Sequence, residues 1–194
     1  MQNDDLTFFN TLKIRLKEDI KGKMFHEFFL PKNRDFFSPE DEKAVNFKKS
    51  AVMLALFFRE ESLRSLLVQR AIYPGAHSGQ ISLPGGKQEP RDKDLLDTAI
   101  RETFEETSIP ISPDEIIGSL SPLTIPISRF IVYPYISILS NTPEYKVDGN
   151  EVVNIIEFDV WEFIHHAIIN NYKVKGKNAE LEAPAFNING HIVW

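Results

Sequence analysis

The stretch from Gly79 to Ile109 leaves this chain few ways to fold. Gln80 to Leu83 reads as a short strand that ends at Pro84. Gly85 and Gly86 follow, then a polar loop, then a helix that starts near Asp92 to Asp94 and ends before Pro110. Paired glycines and prolines punctuate such a chain, and acids at a helix start suit the positive end of its dipole. Leu95, Leu96, Ala99, Ile100, Thr103 and Phe104 recur at helical spacing and are expected to form the buried face. Glu102 lies three and four residues before Glu105 and Glu106, which puts the three carboxylates on one stripe. Such a stripe repels itself unless something positive sits against it, and a divalent cation is the simplest candidate. A solvated helix face would carry the same three residues.

The rest of the chain supplies a sheet for this unit to pack on. Ser50 to Phe58 is an almost continuous apolar run that suits a buried strand. Arg59-Glu-Glu-Ser62 is a turn, and Leu63 to Arg70 completes a hairpin. Further strands are expected near Glu115 to Leu123, Phe130 to Leu139 and Val152 to Phe158, with a short helix around Trp161 to Ile168. Asn171 to Lys175 and Ala185 to Trp194 read as late strands or edges. Before all of this, Leu6, Phe9, Leu12, Ile14, Leu16 and Ile20 mark an amphipathic helix, which serves as a packing arm or in a homodimer. Residues 21–47, with Pro31 and Pro39, read as an irregular connector. Strands and helices alternate without a regular rhythm, so a mixed sheet with helices on its faces fits best.

Composition narrows the chemistry. The chain has 194 residues, 42% of them hydrophobic and fifteen of them Phe, enough for one domain with an extension. It has no cysteine, which excludes disulfides, thiolate metal sites and cysteine nucleophiles. The longest apolar run, Ala51 to Phe58, is too short to span a bilayer. The N-terminus shows no basic region before an apolar segment, so a cytoplasmic location is expected. The net charge of −6 argues against a broad nucleic-acid surface. A small anionic substrate remains compatible if a metal and local cations offset the charge. Glycines at positions 85 and 86 leave room for a ligand. A freed carbonyl there can join carboxylates around Mg2+, which takes oxygen ligands and keeps waters. Such ions polarise a phosphoryl oxygen and activate water.

The arrangement resembles the Nudix hydrolase family. That family's signature box runs Gly, five residues, Glu, seven residues, Arg-Glu, an apolar residue, any residue, Glu-Glu, any residue, Gly, apolar. Arg101-Glu102-Thr103-Phe104-Glu105-Glu106-Thr107-Ser108-Ile109 matches its second half, with Thr103 for the apolar residue and Ser108 for the glycine. The segment from Gly86 to Arg101 is one residue longer than the general box, and the early acid falls at Asp92 when counted forward from Gly86 or at Lys93 when counted back from Arg101. By resemblance, Glu102, Glu105 and Glu106 would hold Mg2+ or Mn2+ with the Gly85 carbonyl assisting, and Arg101 would orient a glutamate. An intrahelical ion pair of Arg101 with Glu105 or Asp97 is the plainer reading of the same residue.

The longer box is similar to that of the coenzyme A diphosphatase branch. That branch carries an upstream motif matched here by Leu66, Leu67, Arg70, Ala71, Gly79, Pro84, Gly85 and Gly86. Val68, Leu83 and Gly75 depart from it, the last in place of an arginine. Looser likenesses run from Lys23-Met-Phe-His26 and Pro31-Lys-Asn-Arg34 through Phe130–Pro134 and Glu151-Val152 to Ala183–Phe186 and Val193-Trp194. The resemblance implies an α/β/α sandwich of the Nudix type with a mixed central sheet. The domain would span residues 48–194 after an N-terminal helical extension over 1–47. It also implies metal-dependent hydrolysis of a nucleoside diphosphate-linked small molecule, with coenzyme A or an acyl derivative favoured. A pyrophosphatase for another derivative such as ADP-ribose, and a non-catalytic nucleotide-binding regulatory module, stay open. Arg101, Glu105 and Glu151 are the expected catalytic residues, with Glu151 a general base, a metal ligand or a surface acid. Arg70, His77, Gly86 and Lys87 are expected at the substrate. Arg70 and His77 have plainer readings as a strand-end ion pair and a structural loop histidine. Arg129 could supply a cation in place of the one missing at Gly75, and His165-His166 read as structural.

Overall fold

Apolar side chains on both faces of one segment set the layering. The computed structural model describes residues 3–18, 22–32, 40, 46–74, 77–147, 149–175 and 180–194. In it Lys48–Arg59 forms a central strand, β1, with Met53 and Phe57 fully buried and Leu56 nearly so. Two helices precede it, α1 (Asn3–Arg15) and α2 (Gly22–Phe28). After it come β2 (Ser62–Arg70), β3 (Ile81–Ser82), β4 (Gly85–Lys87) and α3 (Leu95–Thr107). A 3-10 turn at Pro113–Glu115 leads to β5 (Ile116–Ser119), β6 (Leu123–Ile125) and β7 (Phe130–Ile138). Then follow β8 (Val152–Asp159), α4 (Val160–His166), β9 (Ile169–Lys175), β10 (Glu180–Ile188) and β11 (His191–Val193).

The main sheet is mixed. β1 forms a hairpin with β2, pairs antiparallel with β4, and runs parallel to β7 from Lys48↔Phe130 to Leu56↔Ile138. β8 and β3 add to β2, while β5 and β6 add to β7, all antiparallel. β9, β10 and β11 make a second, three-stranded sheet. Two apolar clusters lie on opposite faces of β1. One gathers Ala51, Met53, Ala55 and Phe57 against Ala99 of α3. The other gathers Leu56, Leu67 and Ile156 against Phe9 of α1, Val160 of α4 and Ile188 of the second sheet. This is the expected α/β/α sandwich, and α1 contributes to its core rather than standing off it: Phe9 is 4% exposed and meets Phe58 edge-on.

Three expectations need correction. The connector at 21–47 contains α2, seated with Gly22 against Ser121, where a methyl group would collide. The strand expected to end at Pro84 is followed directly by another at the glycine pair, because β1 supplies its ladder partner. Phe104 is 54% exposed, so it is not on the buried face of α3. That face is made of small residues, Thr98, Ala99, Thr103 and Thr107. Their size lets the helix approach Ala51 and Ala55 closely. Buried threonine hydroxyls need acceptors, and Thr103 and Thr107 donate to the carbonyls of Ala99 and Thr103 at 2.7 and 2.6 Å. Ile20, Arg34, Pro39 and Gly75 lie outside the described residues.

Both ends of α3 are fixed. Asp94 caps the N-terminus by accepting from the Asp97 N–H at 2.8 Å, and Asp97 accepts from the Lys93 N–H at 3.1 Å. At the C-terminus Ser108 has φ 62° and its N–H donates to Phe104 O at 2.8 Å. This left-handed position favours glycine. Ser108→Gly is therefore expected to raise stability by about 1 kcal/mol, read as a higher urea midpoint. A lower midpoint would mean that the Ser108 hydroxyl bond to Lys146 O, at 3.2 Å, outweighs the backbone cost.

Candidate active site

The site is built where α3 crosses β4. Gly85 has φ 149°, and a Cβ there would lie 2.2 Å from Ala51 O. Gly86 faces the other partner: a Cβ would lie 2.3 Å from the Glu102 carboxylate carbon. One glycine thus lets β4 lie against β1, and the next leaves space for a carboxylate. Glu106, 2% exposed, accepts from the Gly85 N–H at 2.9 Å and meets Arg70 Nη1 at 3.4 Å. Burial pushes its carboxyl up to about 7, against the Gly85 N–H and Arg70, with Glu102 and Glu151 adding repulsion. Burial also raises Glu102, against the hydrogen bond and charge of Arg101, with Glu105 and Glu151 adding to the rise. Two largely buried carboxylates that both resist ionisation make a site that favours a positive charge.

Arg101 is the hub of the site. Its Nε and Nη2 donate to Asp92 at 2.7 and 2.9 Å. Nη1 donates to Glu102 at 2.9 Å and Glu105 at 2.8 Å, and Nη2 also reaches Lys87 O at 3.3 Å. Asp92 is filled: Oδ2 also accepts from the Glu89 N–H at 2.8 Å and the Thr98 hydroxyl at 2.9 Å. The guanidinium of Arg101 holds the Asp92 carboxyl well below the usual carboxylate range. Its lone pairs are thus spent on protein donors, and it acts as the anchor of Arg101.

Glu105 lies at the outer edge of the stripe of Glu102 and Glu106: it shares Arg101 Nη1 with Glu102, and its side chain is 45% exposed. Adjacent helix positions point apart, and Glu105 turns to the rim, where Arg91 Nη2 donates to it at 3.0 Å. Among the described residues no three His, Asp or Glu side chains gather as a ready-made metal site. The oxygen donors present, Glu102 and Glu106 beside the Gly85-Gly86 strand, nevertheless have the chemistry that a hard divalent cation requires.

The other expected residues fall at varying remove. The Glu151 carbonyl accepts from the Ala71 N–H at 2.8 Å, which ties the start of β8 to the end of β2, and its charge is felt by Glu102 and Glu106. His77, at φ 66°, holds Gln80 Oε1 through Nδ1 at 2.8 Å. Lys87 pairs with Ser50, so strand alternation puts it on the face opposite Gly86. Arg129 stacks on Phe47 at 5.7 Å. His165 Nδ1 lies 2.8 Å from Trp161 O, one turn back on α4. Sequence reasoning missed Glu89 and Arg91; the only signal for them was charge in a loop beside the acidic helix.

A mixed sheet with a Gly-Gly strand under an Arg-Glu-x-x-Glu-Glu helix is the framework of a Nudix diphosphohydrolase. Residues 48–177 match the model of the NUDIX domain family, and the chain belongs to that family. It is 33% identical over 119 residues to the uncharacterized Nudix hydrolase NudL of Yersinia enterocolitica, covering 61% of this chain and 60% of the relative. With the NudL protein of Yersinia pestis it shares 32% over 154 residues, 76% of each chain. Among solved structures it is similar to the NUDIX domain of Shewanella oneidensis NrtR in complex with ADP ribose. There the TM-score is 0.50 and the identity 21%, covering 64% of this chain and 80% of that one. A MutT/nudix family protein from Enterococcus faecalis gives a TM-score of 0.50 at 17% identity, over 94% of this chain and 63% of that one. Likeness at these identities is one of fold.

Proposed function

We propose that the protein hydrolyses the diphosphate of a nucleoside diphosphate-linked small molecule with Mg2+ or Mn2+, and that coenzyme A or an acyl derivative is the substrate. The observation that carries the reading is the buried Glu102 and Glu106 pair, with its raised carboxyls, against Gly85 and Gly86. Glu102, Glu105, Glu106 and the Gly85 carbonyl would hold the metal. When bound, the ion would supply charge to the phosphoryl oxygens and lower the pKa of water. Arg101 holds Glu102 and Glu105 in place. Water attacks one phosphorus, the bridging P–O bond breaks, and Glu151 takes the water proton, leaving two phosphomonoesters. Arg70, His77, Gly86 and Lys87 are assigned to the substrate's phosphates and nucleoside. Lys87 would act from the strand end.

Support for coenzyme A comes from the Leu66-to-Gly86 motif and the longer box; Gly75 in place of arginine departs from that motif, and a pyrophosphatase for another derivative such as ADP-ribose is the second reading. The reading places residues 1–47 as an extension on a cytoplasmic enzyme of residues 48–194. No helix among the described residues is long and apolar enough to cross a membrane. Ile14, Phe25 and Phe28 are more than half exposed and are assigned to a homodimer, which sedimentation would refute by giving a monomer.

The test is incubation with coenzyme A, ADP-ribose, diadenosine polyphosphates and nucleoside triphosphates, with Mg2+ or Mn2+. Release of an adenosine bisphosphate and a phosphopantetheine from coenzyme A is expected. Turnover of ADP-ribose alone would overturn the substrate. No turnover of any compound would leave the fold as a nucleotide-binding module.

A further inference from the structure

We infer that Arg91 is a positioning residue that competes with the divalent cation for Glu105; the inference rests on the metal reading above. Glu105 has both oxygens occupied, Oε1 by Arg91 at 3.0 Å and Oε2 by Arg101 at 2.8 Å. The two guanidiniums are not equivalent. Arg101 is 15% exposed and is committed to Asp92 and Glu102. Arg91 is 62% exposed, and its only other ion pair among the described residues is to Glu89, at 2.8 Å. Arg101 is therefore fixed by a buried carboxylate, whereas Arg91 sits in water on a loop and exchanges readily. Glu105 Oε2 already shares Arg101 Nη1 with Glu102, so Oε1, held by Arg91, is the oxygen that a cation beside Glu102 and Glu106 would take from a guanidinium. Glu89 draws on the same guanidinium and weakens its hold on Glu105.

The test is a titration of the metal-free protein with Mn2+, followed by the electron paramagnetic resonance of the free aquo ion. An exposed ion pair of this kind sets the scale, so Arg91→Ala is expected to tighten Mn2+ binding about two- to fivefold. Glu89→Gln, which leaves Arg91 to Glu105 alone, is expected to weaken it. Arg91→Lys keeps the charge without the planar fork and should fall between Arg91→Ala and wild type. Loss of a nearby positive charge would also tighten binding, so the deciding measurement is a cycle in the Glu105→Gln background. There Arg91→Ala is expected to change nothing. The same tightening in both backgrounds would overturn the inference and leave a field effect. Unchanged or weaker binding in Arg91→Ala would overturn it directly. If Mn2+ binds wild type normally in that case, the metal reading survives. A wild-type protein that binds no Mn2+ would overturn both.

Discussion

Glu106→Gln is expected to lower the hydrolysis rate by about two to three orders of magnitude without destabilising the metal-free protein at pH 8. The amide oxygen can still accept from the Gly85 N–H, so the fold loses a charge and keeps a hydrogen bond. The pH dependence follows from the same group. Its carboxyl is raised to about 7 in the folded chain from an ordinary 4.5. Between those values the folded protein retains a proton that the unfolded chain has released, so stability falls as pH rises. The full loss above pH 7 is on the order of 3 kcal/mol for metal-free wild type. Glu106→Gln should remove that slope, which urea unfolding in chelator at pH 5 and pH 8 would read. An identical slope in both proteins would place the titration elsewhere. Full activity in the variant would move the chemistry away from α3.

Asp92→Ala carries the second large effect, and it acts on the fold before the chemistry. The Asp92 side chain is 1% exposed and that of Arg101 15%. Removing one partner of a buried ion pair costs about 3–5 kcal/mol, and because Arg101 keeps Glu102 and Glu105 the loss here is expected at the low end of that range. The Thr98 hydroxyl and the Glu89 N–H lose an acceptor at the same time. Asp92→Asn should cost less, because the amide oxygen still accepts. Arg101 holds the folded carboxyl below its ordinary value of 3.8, so its contribution is present above that value and fades as pH falls below it. Calorimetry at pH 7 would read the loss, and an unchanged midpoint in Asp92→Ala would mean that Glu102 and Glu105 suffice to anchor Arg101.

Pattern reading found the elements whose pairing partners are local in sequence or whose periodicity is strong. The β1–β2 hairpin was legible from a continuous apolar run, a polar turn and a second run, although its turn residues, Glu60 and Glu61, both take positive φ without glycine or asparagine. The helix was legible from its cap and its spacing. Its buried face was misjudged at Phe104, because the sheet beneath it demands small residues that hydropathy does not flag. The strand at Gly85–Lys87 was hidden because glycine has little strand propensity of its own, and only the distant β1 makes it one. At the site, the identity of Glu102 and Glu106 was readable, while the outward turn of Glu105 was not. Spacing says which residues share a helix, and the loop arginine that pulls one of them aside lies fourteen positions away.

The parallel ladder between β1 and β7 has a kinetic consequence. Ser50 pairs with Val132, and on the other side of the sheet Leu67 pairs with Ile156. Neither contact forms without closing a long loop, and chains dominated by such contacts fold slowly. The strand that carries Gly85 and Gly86 is itself only three residues long and hangs on β1. The carboxylate pair therefore acquires its burial, and with it its appetite for cations, only once β4 has docked on β1. An ion that waits for that event cannot guide the search for the fold; it acts afterwards, by slowing escape from the finished structure.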